Sequence, residues 1–245
     1  MITIKTDKEI ELMREPCKVV RDVLLLAEES VKVGMTTGEL NKIIHDYITS
    51  CGATPSFLGL YGFPAAACIS VNEEVVHGRP GSRVIKEGDI VSVDVGAYLK
   101  GFHADAARSF CVGETDPMKR KLVDVTRESF FKGIEGICIG SALGDVGHQI
   151  QSYVESNGFS VVRAMVGHGI GRKVHEDPEV PNYGRKGTGV RLRRNMALAI
   201  EPMVNMGTFE VDINGWDCIT RDKMPSAHYE NTVIITDNGV EILTL

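Results

Sequence analysis

Apolar residues in the first fifty positions recur at helical spacing. Ile10, Met13, Val20, Val23, Leu24 and Ala27 share one side of a 3.6-residue repeat. Thr6, followed three residues later by Glu9, has the form of a capping box that would open this helix. Pro16 lies inside the run, lacks the amide hydrogen a helix interior uses, and is expected to kink or break it. A second helix should open near Thr36 with Glu39 as capping partner, carry Leu40, Ile43, Ile44 and Tyr47, and stop at Gly52. From Pro55 onward the pattern becomes one of short strands between glycine turns, over 67–71, 90–97 and 102–112. Helices resume behind Asp116-Pro117, an N-cap with proline at the first helical position, and again from Ser141 through Val146, Ile150 and Val154 to Gly158. The remainder reads as strands and loops, with strands over 197–204 and 229–236.

The order helices, strands, helices, strands implies an α+β architecture in which two similar halves pack central sheets together beneath outer helices. A faint internal echo agrees: Val76-His77-Gly78 precedes Ile90-Val91-Ser92-Val93-Asp94, and Gly167-His168-Gly169 precedes Ala197-Leu198-Ala199-Ile200-Glu201. No low-complexity or Pro/Ser-rich linker divides the chain, so residues 1–245 are expected to form one domain.

Composition narrows the function classes. The chain has 245 residues, 43% of them hydrophobic. A protein of this size buries roughly 70–75% of its unfolded surface and needs no metal merely to fold, so any metal would be there for chemistry. With 27 Lys plus Arg against 33 Asp plus Glu, the net charge of −6 argues against a dedicated DNA binder, which needs a basic face. Six cysteines without a C-x-x-C pair suggest reduced thiols. The N-terminus has no signal-peptide pattern, and no apolar run approaches the ~20 residues that span a bilayer, so a soluble, cytoplasmic protein is expected.

Two acids stand where acids do not belong. Asp94 lies within IVSVDVGAY and Asp105 within GFHADAARSF, both otherwise β-like. If residues 98–101 form a four-residue turn, antiparallel pairing makes the two aspartates direct cross-strand neighbours. Like charges so placed destabilise a hairpin, and a cation between them is the simplest remedy. Glu201, after ALAI, and Glu230, at the head of ENTVIIT, stand in similar apolar strand contexts. Four carboxylates and one imidazole would nearly neutralise two divalent cations. Of seven histidines, His45 and His148 fall in helices among polar neighbours; His77, His168 and His175 lie in glycine-rich loops better suited to function. Glycines 167, 169 and 171 would allow close backbone approach there. His103 and His228, each two residues before an acid, stay open.

The segments CISVNEEVVHG, GDIVSVDVGAYLKGFHADAARSF, GFSVVRAMVGHGIGRKVHEDP, AIEPMVN and YENTVIITDNGVEILT resemble, in order and spacing, the type I methionine aminopeptidases. The resemblance runs over essentially the whole chain. It implies the two-halved pita-bread fold and a dimetal site between the halves. It implies as metal ligands Asp94, Asp105, His168, Glu201 and Glu230, with Asp105 and Glu230 bridging. It also implies His77 as donor to the scissile nitrogen, His175 as stabiliser of the tetrahedral oxygen, and Glu201 as handler of the water proton. A methionine pocket would be lined by Phe57, Leu60, Phe63, Cys68 and Trp216 together with His77 and His175, and Val174 close by. Relatives often carry aromatics at the positions of Leu60 and Val174 and threonine at that of Ala199.

A donor set of four carboxylates and one imidazole leans toward two Mn, Fe or Co ions rather than Zn. The implied partners are nascent polypeptide N-termini, with no DNA and no membrane, acted on by a monomer with transient ribosome contact through the basic run 185–194. The runner-up is a proline-directed relative such as an Xaa-Pro aminopeptidase or dipeptidase, whose additional N-terminal domain has no room before Asp94. Because the family accepts only a small residue after methionine, a chain beginning Met1-Ile2 should keep its own initiator methionine; intact-mass spectrometry should find it, and a mass lower by one methionine would contradict the reading.

Overall fold

Both N-terminal helices begin where their capping residues stand. In the computed structural model, which describes residues 1–245, α1 spans Asp7–Ser30 and α2 spans Thr37–Ser50. At α1 the Glu9 amide donates to the Thr6 hydroxyl at 3.2 Å, and the Thr6 amide donates to the Glu9 carboxylate at 2.8 Å. Thr36 and Glu39 repeat the box on α2 at 3.1 and 2.8 Å.

The break expected at Pro16 does not occur: α1 continues through it. Before the proline, Ile10 and Met13 pack with Phe102 and Ile234; after it, Cys17, Val20, Val23, Leu24 and Ala27 enter a larger core. Each fully buried apolar side chain contributes about 1.5–3 kcal/mol, so packing on both sides outweighs the roughly 3 kcal/mol that an interior proline costs.

The strands follow in chain order: β1 Thr54–Pro55, β2 Ala67–Val71, β3 Glu74–Val76, β4 Ile90–Leu99 and β5 Phe102–Cys111. After helices α3, Pro117–Ile134, and α4, Leu143–Ser156, come β6 Ser160–Val161, β7 Gly167–Gly169, β8 Glu176–Val180, β9 Ala197–Ile200 and β10 Met203–Asn205. The chain closes with β11 Val211–Asn214, β12 Asp217–Thr220, β13 Ser226–His228, β14 Glu230–Thr236 and β15 Gly239–Ile242.

Nine strands make one antiparallel sheet in the order β1-β4-β5-β14-β9-β7-β8, with β2 also on β4 and β15 also on β14. The smaller sheets β13-β10-β6 and β11-β12-β3 flank it. The single strand expected over 197–204 is two strands: β9 pairs with β14, whereas β10, beyond Glu201-Pro202, leaves for the small sheet with β13 and β6. Pro202 has no amide hydrogen with which to continue the first ladder.

Two apolar cores lie against the sheets. One joins α1 and α2 to β2, β4 and β5; the other joins α3 and α4 to β9, β10 and β14. The α+β arrangement of two helix-covered halves is therefore the one expected.

The β4–β5 hairpin differs from expectation in register. Its turn is the two-residue Lys100-Gly101, with φ of 52° and 90°, the left-handed geometry of a type I′ turn. Asp94 consequently pairs with Ala107, and Asp105 with Gly96, so the two aspartates are diagonal rather than directly opposite. A shift of two residues preserves strand parity, and both acids stay on one face.

Replacing Thr36 by Ala removes the forward half of the α2 box and should cost about 1 kcal/mol. For a chain of this size, thermal melts should show a midpoint about 2–4 °C lower; an unchanged midpoint would show the cap to be energetically silent.

Candidate active site

Two rows of residues cross one face of the large sheet. In the first, Cys68 pairs with Asp94, Asp94 with Ala107, and Ala107 with Glu230. In the second, Gly96 pairs with Asp105, and Thr232 pairs with Ala199, which pairs with His168. The Thr232 hydroxyl ties Asp105 into that row by accepting its amide at 3.0 Å and donating to its carbonyl at 2.8 Å. Glu201 follows Ile200, the partner of Asn231, and so falls beside Glu230. Gly96, Ala107 and Ala199 put little bulk between the polar groups, leaving room among the carboxylates.

Asp105 and Glu230 are buried, Asp94 and Glu201 keep only a small exposed part, and no lysine or arginine side chain pairs with any of the four. Buried Oδ1 atoms of Asp94 and Asp105 have no hydrogen-bond partner. Burial pushes the Asp94 carboxyl up to about 7 and that of Glu201 to about 8. Burial, reinforced by the neighbouring carboxylates, also raises Asp105 and Glu230 well above the ordinary range.

His168 is arranged to complement them. Its Nδ1–H points to the Gly169 carbonyl at 2.9 Å, which leaves the Nε2 lone pair 3.9 Å from Asp105 Oδ2 and 3.8 Å from Glu201 Oε1. Burial holds its pKa down at about 4, so the ring is neutral near pH 7. Ligand atoms of Asp105, His168 and Glu230 lie within 4.8 Å of one another. Unpartnered carboxylate oxygens beside a neutral imidazole form a donor set that fits divalent cations.

The cluster floors a cavity of about 70 Å³ lined by the residues that the resemblance implied as ligands, catalytic groups and pocket walls: the five groups above, His77, His175, Phe57, Leu60, Phe63, Cys68 and Trp216. Phe57, Phe63, Cys68 and Val174 form a buried apolar cluster, with Leu60 and Trp216 packed on it. Burial and the nearby carboxylates keep the Cys68 thiol protonated, so it serves as apolar wall. His77 has a left-handed φ of 59°, an uncommon state for a side-chain-bearing residue, and its ring meets Trp216 edge-on at 6.1 Å. Burial, with His228 and His175 nearby, lowers its pKa to about 4.

His168 and His175 come together because β7 and β8 form a hairpin, with ring centroids 4.5 Å apart. The ladder slips between His168 and Gly169, where a Cβ on Gly169 would lie 2.2 Å from the Asp177 carbonyl. Only glycine fits that approach, as the glycine-rich loop suggested.

Tyr61 also lines the cavity and was not singled out in the sequence. It lies at the mouth, stacked on His175 at 5.8 Å, in a segment whose aromatic content alone carried no stronger signal than Phe57 or Phe63. His228 proves to be a neighbour of the cluster: its buried, unpartnered Nε2 is 3.6 Å from Glu201 Oε2. His103 lies outside the cavity and shares a 2.8 Å hydrogen bond with Ser56. His45 and His148 stay on α2 and α4, away from it.

The chain matches metallopeptidase family M24 over residues 11–237. It is 58% identical to the methionine aminopeptidase of Clostridium perfringens, over all of this chain and 99% of that one. It superposes on the crystal structure of the Thermotoga maritima methionine aminopeptidase with a TM-score of 0.98 at 49% identity, covering 100% of this chain and 99% of that one. A prolidase from Pyrococcus furiosus gives a TM-score of 0.80 at 23% identity, covering 99% of this chain and 65% of the prolidase, a likeness of fold alone. The pita-bread fold expected from the sequence is thus the fold observed.

The raised carboxyl pKa values fix the sign of a stability effect. Without metal, the folded chain keeps protons on these carboxyls that the unfolded chain releases at about pH 4, while buried His77, His168 and His228 stay unprotonated where the unfolded chain protonates them below about pH 6.5; the two effects oppose each other below that pH, so stability should fall as pH rises from about 6.5 to about 8. Thermal melts of chelator-treated protein should show that fall, and added Mn²⁺ should raise the midpoint more at pH 8 than at pH 5. Equal midpoints under all four conditions would contradict this electrostatic account.

Proposed function

The chain belongs to metallopeptidase family M24, among its methionine aminopeptidases, and from that premise we propose that it removes the initiator methionine from nascent polypeptides whose second residue is small. The observation that carries the proposal is the joining, in one cavity, of an apolar pocket to a cluster of four carboxylates and a neutral imidazole. A methionine side chain between Phe57, Phe63 and Trp216 would bring its own α-amino nitrogen to the polar cluster. Only a residue with a free N-terminus then sets its first peptide bond there, which would make the reaction exopeptidic.

Family M24 enzymes carry divalent metal ions. In this reading two such ions would be held by Asp94, Asp105, His168, Glu201 and Glu230. Mn, Fe or Co suits so oxygen-rich a donor set better than Zn. Such ions supply a water acidified to near neutral pH and polarise the scissile carbonyl. Glu201 would take the proton of that water and return it. His77, neutral near pH 7, donates to the scissile nitrogen, and His175 faces the oxygen that gains charge.

No helix is long and apolar enough to cross a membrane. The proposal places the enzyme in the cytoplasm, as a monomer acting on emerging chains with transient ribosome contact. Within the basic run, Arg194 is tied to Asp7 and Asp237, which leaves Arg185, Lys186, Arg191 and Arg193 as the charges available for that contact.

Release of free methionine from Met-Gly-Met-Met tests the proposal directly. Added Mn²⁺ or Co²⁺ should restore activity to chelated protein, Glu201→Gln should lower kcat by about 10²–10⁴, and His175→Ala should lower it by about 10²–10³. Activity that survives Glu201→Gln would refute the assignment, and faster cleavage of Xaa-Pro peptides would favour a proline-directed enzyme.

A further inference from the structure

Lys5 is the only lysine buried in the structure. Its ammonium lies 2.7 Å from the carboxylate of Glu176, with the two side chains 5% and 9% exposed. Glu176 is the residue after His175, and its carboxylate gathers the loop between β7 and β8. One oxygen accepts Lys5 Nζ and the Thr3 hydroxyl; the other accepts the Lys173 amide at 3.2 Å. Burial alone would raise the Glu176 pKa, but these donors hold it below its ordinary value, so its carboxylate is ionised.

The anchor reaches the sheet. The Lys5 amide donates to the Asn195 carbonyl at 3.1 Å, and the Asn195 amide donates to Ile235 of β14 at 2.8 Å. The loop closes directly over the lysine: a Cβ on Gly171 would lie 2.5 Å from Lys5 Cε and 2.9 Å from Glu176 Oε1. The glycine at 171 is therefore explained by the ion pair beneath it.

The His175 ring itself is held by ring contacts, stacked on Tyr61 and edge-on to His168. It is exposed, and its one polar contact is the Tyr61 hydroxyl at 3.5 Å. Its position follows from the backbone of a loop anchored on either side of it, by Val174 in the apolar pocket wall and by Glu176 in the ion pair. Burying an ion pair is a poor route to stability compared with apolar packing, whereas it fixes a geometry well. A reacting group displaced by about 1 Å can lose about 10²-fold in rate.

We propose that Lys5 is a positioning residue for the reaction: acting through Glu176, it sets the His175 ring against the cavity, so the N-terminal segment takes part in catalysis without touching substrate. This rests on the role given to His175 above. The test is a double-mutant cycle on the metal-loaded full chain, with Lys5→Met, His175→Ala and their combination assayed on Met-Gly-Met-Met. Lys5→Met should lower kcat by about tenfold or more while leaving KM within about twofold, and should have little further effect once His175 is Ala. An unchanged kcat, or the same fold loss in both backgrounds, would overturn the proposal. If Lys5→Met does not fold, Thr3→Ala removes another donor to Glu176 and should give a smaller kcat loss that likewise vanishes without His175; a loss persisting there counts against it. A wild-type chain that releases no methionine with any metal would sink the functional reading instead. Amide hydrogen exchange at residues 172–176 then decides the present one: faster exchange in the Lys5 or Thr3 variant upholds it, and unchanged exchange rejects it.

Discussion

Four carboxylates cannot share one buried face of a sheet without something to cancel their charge. The face that holds Asp94, Asp105, Glu201 and Glu230 offers no lysine or arginine partner. The nearest guanidinium, that of Arg108, lies on the opposite face of β5. It is spent on the carbonyls of Ala107, Glu230 and Thr244 and the side chain of Asn231, and it stacks on Tyr229. It secures the strand that carries Glu230 while leaving that carboxylate unneutralised. Protonation or divalent cations are the remaining ways to relieve the repulsion.

The rest of the fold is arranged around that face. One half supplies Asp94 and Asp105 from the β4–β5 hairpin, held by α1 and α2; the other supplies His168, Glu201 and Glu230, held by α3 and α4. The halves meet where β5 pairs with β14 over only two residue pairs, Glu230 with Ala107 and Asn231 with Ala106. Bonds from Thr232 to Asp105, and from Arg108 to Glu230 and Asn231, reinforce this short seam. The seam sets the distance between the two groups of side chains, which no single half could fix.

Local signals in the sequence were read well where physics is local. The Thr6–Glu9 and Thr36–Glu39 boxes opened both helices where expected, and Asp116-Pro117 opened α3. Local rules fail where tertiary terms outweigh them. Pro16 was absorbed because α1 is buried on both sides of it, and the strand at 197–204 was divided because Pro202 cannot extend the ladder to β14. The β4–β5 register was two residues off because Lys100 adopts a left-handed φ that its side chain does not advertise. The aspartates kept their common face because only parity decides it. Tyr61 went unnoticed because stacking on His175 joins residues 114 positions apart.

The sequence by itself determined the types of elements, the identity of the acids and histidines, and the face each strand residue takes, because helical and strand periodicity are properties of neighbouring residues. Tertiary structure alone decided that Asp94 and Asp105 lie diagonally, that His228 reaches Glu201, and that Lys5 seals beneath the loop carrying His175. Those relations depend on turn geometry and on the approach of segments far apart in the chain, where the governing energies are packing and desolvation rather than local propensity.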